Sequence, residues 1–354
     1  MQFAHSPKKD NFFTRSKPLI VFFSLLAVTF VTCMISGTQW AYENFLEINN
    51  WHYGTEYAIL ILTFLSAHEF GHYIAARIHK VDATLPYYIP FPFTIALNFG
   101  TLGAVIRTRT PIPSRKALFD IGVAGPISGF VVATGFLIYG FMTLPGIEFI
   151  YNIHPDYVGH LGGIIPNTGL FFGDTVYYHF LAGIFANPNG FLPPMNEIYH
   201  YPYLNVGWFG LFVTSLNMLP MGQLDGGHTT YSMFGPKVHA IISKSIFKVL
   251  LIMGIFSVVG LLHQFFTDEI DNSIFYTFKN MLYPLLDYIK QNIPFIYQSW
   301  SGWLFWAILS KFVLKLHHPP VEDNTPLGPG RMFIGILTLL ILLLSFSFNG
   351  VYII

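Results

Sequence analysis

Residues 57–76 read YAILILTFLSAHEFGHYIAA, an apolar run that holds His68, Glu69 and His72 in its second half. A helix needs about 20 apolar residues to cross the hydrocarbon of a bilayer. An ionised side chain in mid-span costs on the order of 3 kcal/mol unless it is paired, so such groups tend to mark function. On a helix, His68 and His72 lie four residues apart on one face, with Cβ atoms about 5–6 Å distant. Two neutral imidazole nitrogens at that separation can grip one zinc ion. Glu69 is turned to the flank, where its carboxylate can act as a general base toward water. That is the mechanical content of the pattern H-E-x-x-H.

The rest of the chain supports a membrane reading. Of its 354 residues 53% are hydrophobic and 10% charged, against about 25% charged in water-soluble domains. Apolar runs near 18–38, 56–78, 117–144, 203–222, 245–266, 299–316 and 332–354 predict an all-α polytopic protein of six to seven transmembrane helices, built as one integral-membrane domain over 1–354. The fourth and sixth runs are the shortest or most polar. Residues 85–104 are apolar too, but Pro86, Pro90, Pro92, Gly100 and Gly103 break any long helix there. The stretch near 85–106 therefore reads as a non-helical segment, β-like or re-entrant, lining a protected cavity.

Charge placement orients the spans, because short cytoplasmic loops collect Lys and Arg. With the N-terminus inside, 16 of the 18 Lys and Arg fall on the cytoplasmic side and only Lys279 and Lys290 outside. Residues 145–200 contain no Lys or Arg and read as an extracytoplasmic loop, within which 174–186 predicts a surface helix. Cys33 is the only cysteine, which excludes internal disulfides and thiolate metal clusters. No internal repeat, nucleotide loop or basic patch fit for nucleic acid is present. The first run reads as an uncleaved span. Without organelle-targeting features, a bacterial cytoplasmic membrane is the expected home.

Two histidines leave a zinc site incomplete, since a catalytic zinc usually has three protein ligands and an open position. Residues 217–228, NMLPMGQLDGGH, follow a further apolar stretch and hold Asp225 and His228. Pro220, Gly222, Gly226 and Gly227 would unwind that helix and leave a ligand on irregular backbone at membrane depth. Spacing alone leaves Asp225 and His228 as alternatives, with helix capping and an interfacial location as their ordinary roles. Ala67, Gly71 and Ala75, and likewise Gly125, Gly129 and Ala133, form small-residue stripes of the kind that let helix backbones approach in lipid.

Taken together, H-E-F-G-H in one span and N-M-L-P-M-G-Q-L-D-G in a later one resemble the site-2 protease family of intramembrane zinc metalloproteases. FGTLGAVIRTR (99–109) and RKALFDIGVAGPISG (115–129) also look like family sequence. The resemblance covers a catalytic core of roughly 57–230. It implies one zinc per chain bound by His68, His72 and Asp225, with Glu69 as catalytic acid/base and Asn217 placing substrate or stabilising the oxyanion. It also implies transmembrane protein substrates met within the lipid bilayer and not nucleic acid. Nothing between or after the motifs is polar or long enough for the PDZ or CBS modules of some members. A metal or proton transporter, and a catalytically silent relative that binds membrane proteins, are the rival readings. Other membrane zinc proteases take a Glu as third ligand, but Asp268, Glu269, Asp271, Asp287, Glu322 and Asp323 lie in loops or outside apolar cores.

Overall fold

The computed structural model describes residues 12–92, 99–267 and 273–353. Helix α1 (Phe12–Trp40) is followed by α2 (Thr55–Ile78), strands β1 (Tyr87–Pro90) and β2 (Thr101–Val105), and α3 (Arg115–Met142). A loop region holds the short helices α4 (Glu148–Ile153) and α5 (Pro155–Gly159), strand β3 (Leu170–Phe172) and α6 (Val176–Phe185). Then come α7 (Pro202–Asn217), α8 (Asp225–Thr267), α9 (Ser273–Asn292), α10 (Gly302–Leu309), α11 (Pro329–Ser345) and strand β4 (Val351–Ile353).

The described residues include four helices long and apolar enough to cross a membrane, on α1, α2, α3 and α8. The expected run 203–222 falls on α7, which has 16 residues, and 299–316 on α10 and the π-helical turn after it. The run 332–354 is helical only to Ser345. Its last residues form β4, which pairs antiparallel with β3. Apolarity alone does not separate a buried strand from a helix end, and here the Asn349–Gly350 turn, with Gly350 at φ 54°, starts the strand. Helix α9, with Lys279, Asp287 and Lys290 along it, was not expected as a helix because it is too polar to read as a span. Helix α6 falls within the expected surface segment. Helix α8 is two helices joined across a kink, where Gly235 takes φ 79° and Pro236 withholds its N–H.

Local chemistry sets the ends of the elements. Ser114 caps α3 by accepting from the Ala117 N–H, and Thr175 caps α6 by accepting from the Tyr178 N–H. Helix α2 stops in a Schellman turn: the Val81 N–H reaches the Ala76 carbonyl and the Lys80 N–H the Arg77 carbonyl, with Lys80 at φ 57°. That stop releases the chain into the β1–β2 hairpin, which pairs Tyr88 with Ala104 across a bulge. The expected non-helical segment is thus two antiparallel strands over its described part, while residues 93–98 lie outside the described residues. The hairpin is tied to the helices by polar bonds. Tyr88 Oη and Ser66 Oγ are 2.7 Å apart, and Thr32 donates to the Gly100 carbonyl at 2.6 Å.

Close backbone contact holds the central helices together. Helix α2 packs most extensively on α3. A Cβ on Gly71 would meet the Ala124 carbonyl oxygen at 2.6 Å and Ser128 Oγ at 2.7 Å. Lipid offers no hydrophobic drive between helices, so this approach contributes through dispersion and excluded lipid. Arg115 joins three segments, donating to the carbonyls of Ser232 in α8 and Asn324 in the segment before α11. At the cytoplasm-facing end of the sequence reading, Asp120 accepts from Nε and Nη2 of Arg331, each at 2.8 Å, tying α11 to α3.

Gly71→Val should destabilise the protein by about 2–4 kcal/mol, because backbone and not a mobile side chain must give way. Gly135, on the same α3, has open space around its Cβ position, so Gly135→Ala should leave stability unchanged or raise it by about 0.5–1 kcal/mol. Thermal unfolding in detergent separates the two.

Candidate metal centre

The second half of α2 brings His68 and His72 onto the face that meets α3. Helix α3 offers glycine there: a Cβ on Gly125 would overlap the His72 ring, and one on Gly129 would stand 3.3 Å from His68 Nδ1. The α3 stripe therefore makes room for imidazoles, while Gly71 on α2 makes the backbone contact beside them. His72 Nδ1 is 2.7 Å from the Ile121 carbonyl and donates to it, which leaves Nε2 with its lone pair facing inward.

The third member arrives from the junction of α7 and α8. Residues 218–224 form a tight turn in which Gly222 has φ 52°, and Gly226 and Gly227 sit against the carbonyls of Met218 and Gly222 where no side chain would fit. Asp225 is thereby the first residue of α8 at the depth of the two histidines. His68 Nε2 and His72 Nε2 are 3.2 Å apart, and Asp225 Oδ2 lies 3.4 Å from the first and 3.3 Å from the second. Two zinc ligands at bonds of about 2.0–2.1 Å and a tetrahedral angle stand about 3.3 Å apart. The three atoms thus have the spacing of three corners of a zinc tetrahedron. The group is a candidate metal site and is largely buried.

His228 does not join this triangle. Its Nδ1 lies 2.7 Å from His318 Nε2, and its Cβ faces Gly122. Of the two residues the spacing left open, Asp225 is the one beside the histidines. Glu69 is buried on the flank, with the Ile106 backbone N–H as a hydrogen-bond partner. Asn217, the last residue of α7, has its Nδ2 at 3.5 Å from His68 Nε2. Of the alternative acids, Asp287 and Asp323 lie outside the group, and Asp268, Glu269 and Asp271 lie outside the described residues.

These residues open on a cavity of about 510 Å³ whose wall includes His68, Glu69, Asp225, Asn217, Val105 and His318. Strand β2 and the segment after it form one side, and Pro319–Val321 another. Reading the sequence missed His318. It stands in a polar stretch 90 residues from His228, the residue it bonds, and no local pattern marks it.

Residues 56–261 match the description peptidase family M50. The chain belongs to this family, that of the site-2 proteases. It is also similar to curated plant proteins. One named probable zinc metalloprotease EGY2, chloroplastic, from Oryza sativa subsp. indica, is 26% identical over 208 residues, 57% of this chain and 33% of the relative. Probable zinc metalloprotease EGY1, chloroplastic, is 30% identical over 170 residues in Oryza sativa subsp. japonica, 48% of this chain and 26% of the relative. Its Arabidopsis thaliana counterpart is 29% identical over 177 residues, 49% of this chain and 29% of the relative. The chain spans about a third or less of the length of these relatives. No solved structure matches it. The M50 match takes in both motifs and the intervening α3.

Gly125→Ala should displace the His72 ring and lower zinc affinity at this cluster by 10-fold or more, whereas Gly129→Ala, with looser contacts, should lower it less. Competition with a chelator of known affinity, on protein matched for thermal unfolding, checks the order.

Proposed function

We propose that this M50 chain is an intramembrane zinc metalloprotease, a peptide-bond hydrolase acting in or near the transmembrane segments of membrane-protein substrates. The observation that carries the reading is the triangle of His68, His72 and Asp225 with Glu69 on its flank, open to a cavity with a strand along one side. The relatives' names, which call them zinc metalloproteases, support zinc as the metal.

In this reading His68, His72 and Asp225 hold the ion, and two neutral imidazoles with one carboxylate suit zinc. Zinc bound there supplies a Lewis acid for the scissile carbonyl and acidifies water. Glu69 takes the proton of the attacking water and delivers it to the leaving amine. The Ile106 N–H aims the Glu69 carboxylate, and the Ile121 carbonyl fixes the His72 ring. Asn217 donates to the carbonyl oxygen as charge develops on it, an assignment supported by its position beside His68.

A helical substrate buries its peptide bonds in its own hydrogen-bond ladder, so it must unwind at the site. Among the described residues, strand β2 has β1 as its one sheet neighbour, and it lines the cavity through Ala104 and Val105. An unwound substrate segment can add to it as a third strand. The catalytic core is 57–230. Helices α7, α10 and α11 are proposed as further spans, giving up to seven. Support for α7 comes from its two ends, one near His200 and the other at the metal cluster. The distribution of basic residues supports an N-terminus in the cytoplasm and 145–200 outside. A bacterial cytoplasmic membrane remains the proposed location, whereas the named relatives are chloroplastic.

With a transmembrane reporter substrate in proteoliposomes, Glu69→Gln should lower cleavage by 10² to 10⁴-fold and leave zinc content unchanged. Unchanged cleavage, or ion flux independent of Glu69, would overturn the reading. Replacing helix-breaking residues of the substrate span by Leu should slow cleavage of the same reporter. Cleavage unaffected by that change would refute the unwinding step.

A further inference from the structure

A second group of ligand-type side chains lies at the other end of the bundle. His154 stands between α4 and α5, Glu197 precedes α7, and His200 sits two residues before its first turn. His154 Nε2 and His200 Nε2 are 3.0 Å apart, and Glu197 Oε2 lies 3.4 Å from His200 Nε2 and 3.8 Å from His154 Nε2. All three residues are buried, with the side chains of His200 and Glu197 at 0% and 1% exposure. The sequence alone did not mark them, because it shows 145–200 as a loop whose one expected element is the surface helix at 174–186.

Hydrogen bonding within the group leaves an acceptor stranded. His200 Nδ1 donates to the Trp40 carbonyl at 2.8 Å, so its Nε2 presents a lone pair. His154 Nε2–H can donate to that lone pair, but Glu197 Oε2 then has no donor, and it is a buried oxygen without a hydrogen-bond partner. Tyr157 Oη satisfies the other oxygen, donating to Glu197 Oε1 at 2.9 Å. No Lys or Arg occurs in 145–200, and among the described residues the ion-pair partners of Glu197 are these two imidazoles. A carboxylate buried without a cation costs several kcal/mol. One divalent ion equidistant from the three inward atoms satisfies all of them, and their spacing brackets the roughly 3.3 Å separation of tetrahedral zinc ligands.

We propose that His154, Glu197 and His200 bind a second zinc ion, which clamps the 145–200 segment to the end of α1. The Trp40 carbonyl and the Tyr157 hydroxyl orient two of the ligands, the role that outer partners play around metals. The rings of Tyr42 and Tyr157 flank His154, at centroid distances of 4.5 and 4.6 Å, and keep the site dry. The clamp is remote from the cavity: Thr55 begins α2 at this end and His68 follows 13 residues later, about 20 Å along the axis. Its role is therefore structural. It fixes the loop region over one end of α1, α2 and α7 and does not depend on the protease reading.

The test is zinc per chain in detergent-purified full-length protein, reconstituted with Zn²⁺ and dialysed. Two zinc ions are expected in the wild type and one each in Asp225→Ala and His200→Ala. None is expected in the double variant. X-ray absorption on Asp225→Ala protein should then report two imidazoles and a carboxylate around the remaining ion, a measurement that needs no substitution in the clamp itself. Zinc-free Asp225→Ala protein, or two ions retained in His200→Ala, overturns the proposal. Failure of the catalytic reading appears separately, as zinc content insensitive to Asp225→Ala while His200→Ala lowers it by one.

Discussion

The close approach of α2 and α3 is the constraint on which the rest of the structure depends. Where Gly71 meets the Ala124 carbonyl, no side chain separates the two backbones. The same approach would crush His68 and His72 against α3 were Gly125 and Gly129 any larger. One interface thus serves two ends: glycine on α2 makes the backbone contact, and glycine on α3 houses the imidazoles of His68 and His72. A site assembled on rigid helices in this way is fixed by the packing around it, which suits a centre whose ligand atoms must hold positions within a few tenths of an ångström.

The third corner follows a different rule. Asp225 reaches the histidines because a tight turn interrupts two helices inside the membrane-depth region, where irregular backbone is tolerated only against protein or water. Gly222, Gly226 and Gly227 allow that turn by letting carbonyls pass where Cβ atoms would collide. The turn also directs His228 away, toward His318, so a residue three positions from Asp225 has a separate environment. Strand β2 completes the enclosure from the side the helices leave open. Hydrogen bonds between Tyr88 in β1 and Ser66 in α2, and from Thr32 in α1 to the Gly100 carbonyl just before β2, make the hairpin part of the helical core.

The two ends of the bundle have contrasting chemistry. At one end, the cluster of His68, His72 and Asp225 faces a cavity of about 510 Å³, which leaves the proposed ligands open to reactants. At the other end, His154, Glu197 and His200 are closed in by Tyr42, Tyr157 and the end of α1. A cluster open to a cavity suits turnover, and one shut away from it suits the proposed joint.

Much of the candidate metal centre was legible in the sequence, because periodicity in a helix is a local property. The spacing of His68 and His72 fixes a common face whatever packs against it, and the prolines and glycines of 85–104 exclude a long helix whatever replaces it. Apolar length likewise placed α1, α2, α3 and the second half of α8. Long-range pairing was not legible. Spacing could not choose between Asp225 and His228; the choice rests on how a turn directs two side chains 157 and 160 residues beyond His68. Nor could apolarity show that 351–353 would pair as a strand with 170–172, since the partner is supplied from the far side of the chain. The cluster of His154, Glu197 and His200 was invisible for the same reason. Sequence determines what each segment can become on its own, and only the tertiary structure decides which distant atoms share the few ångströms within which an ion is held.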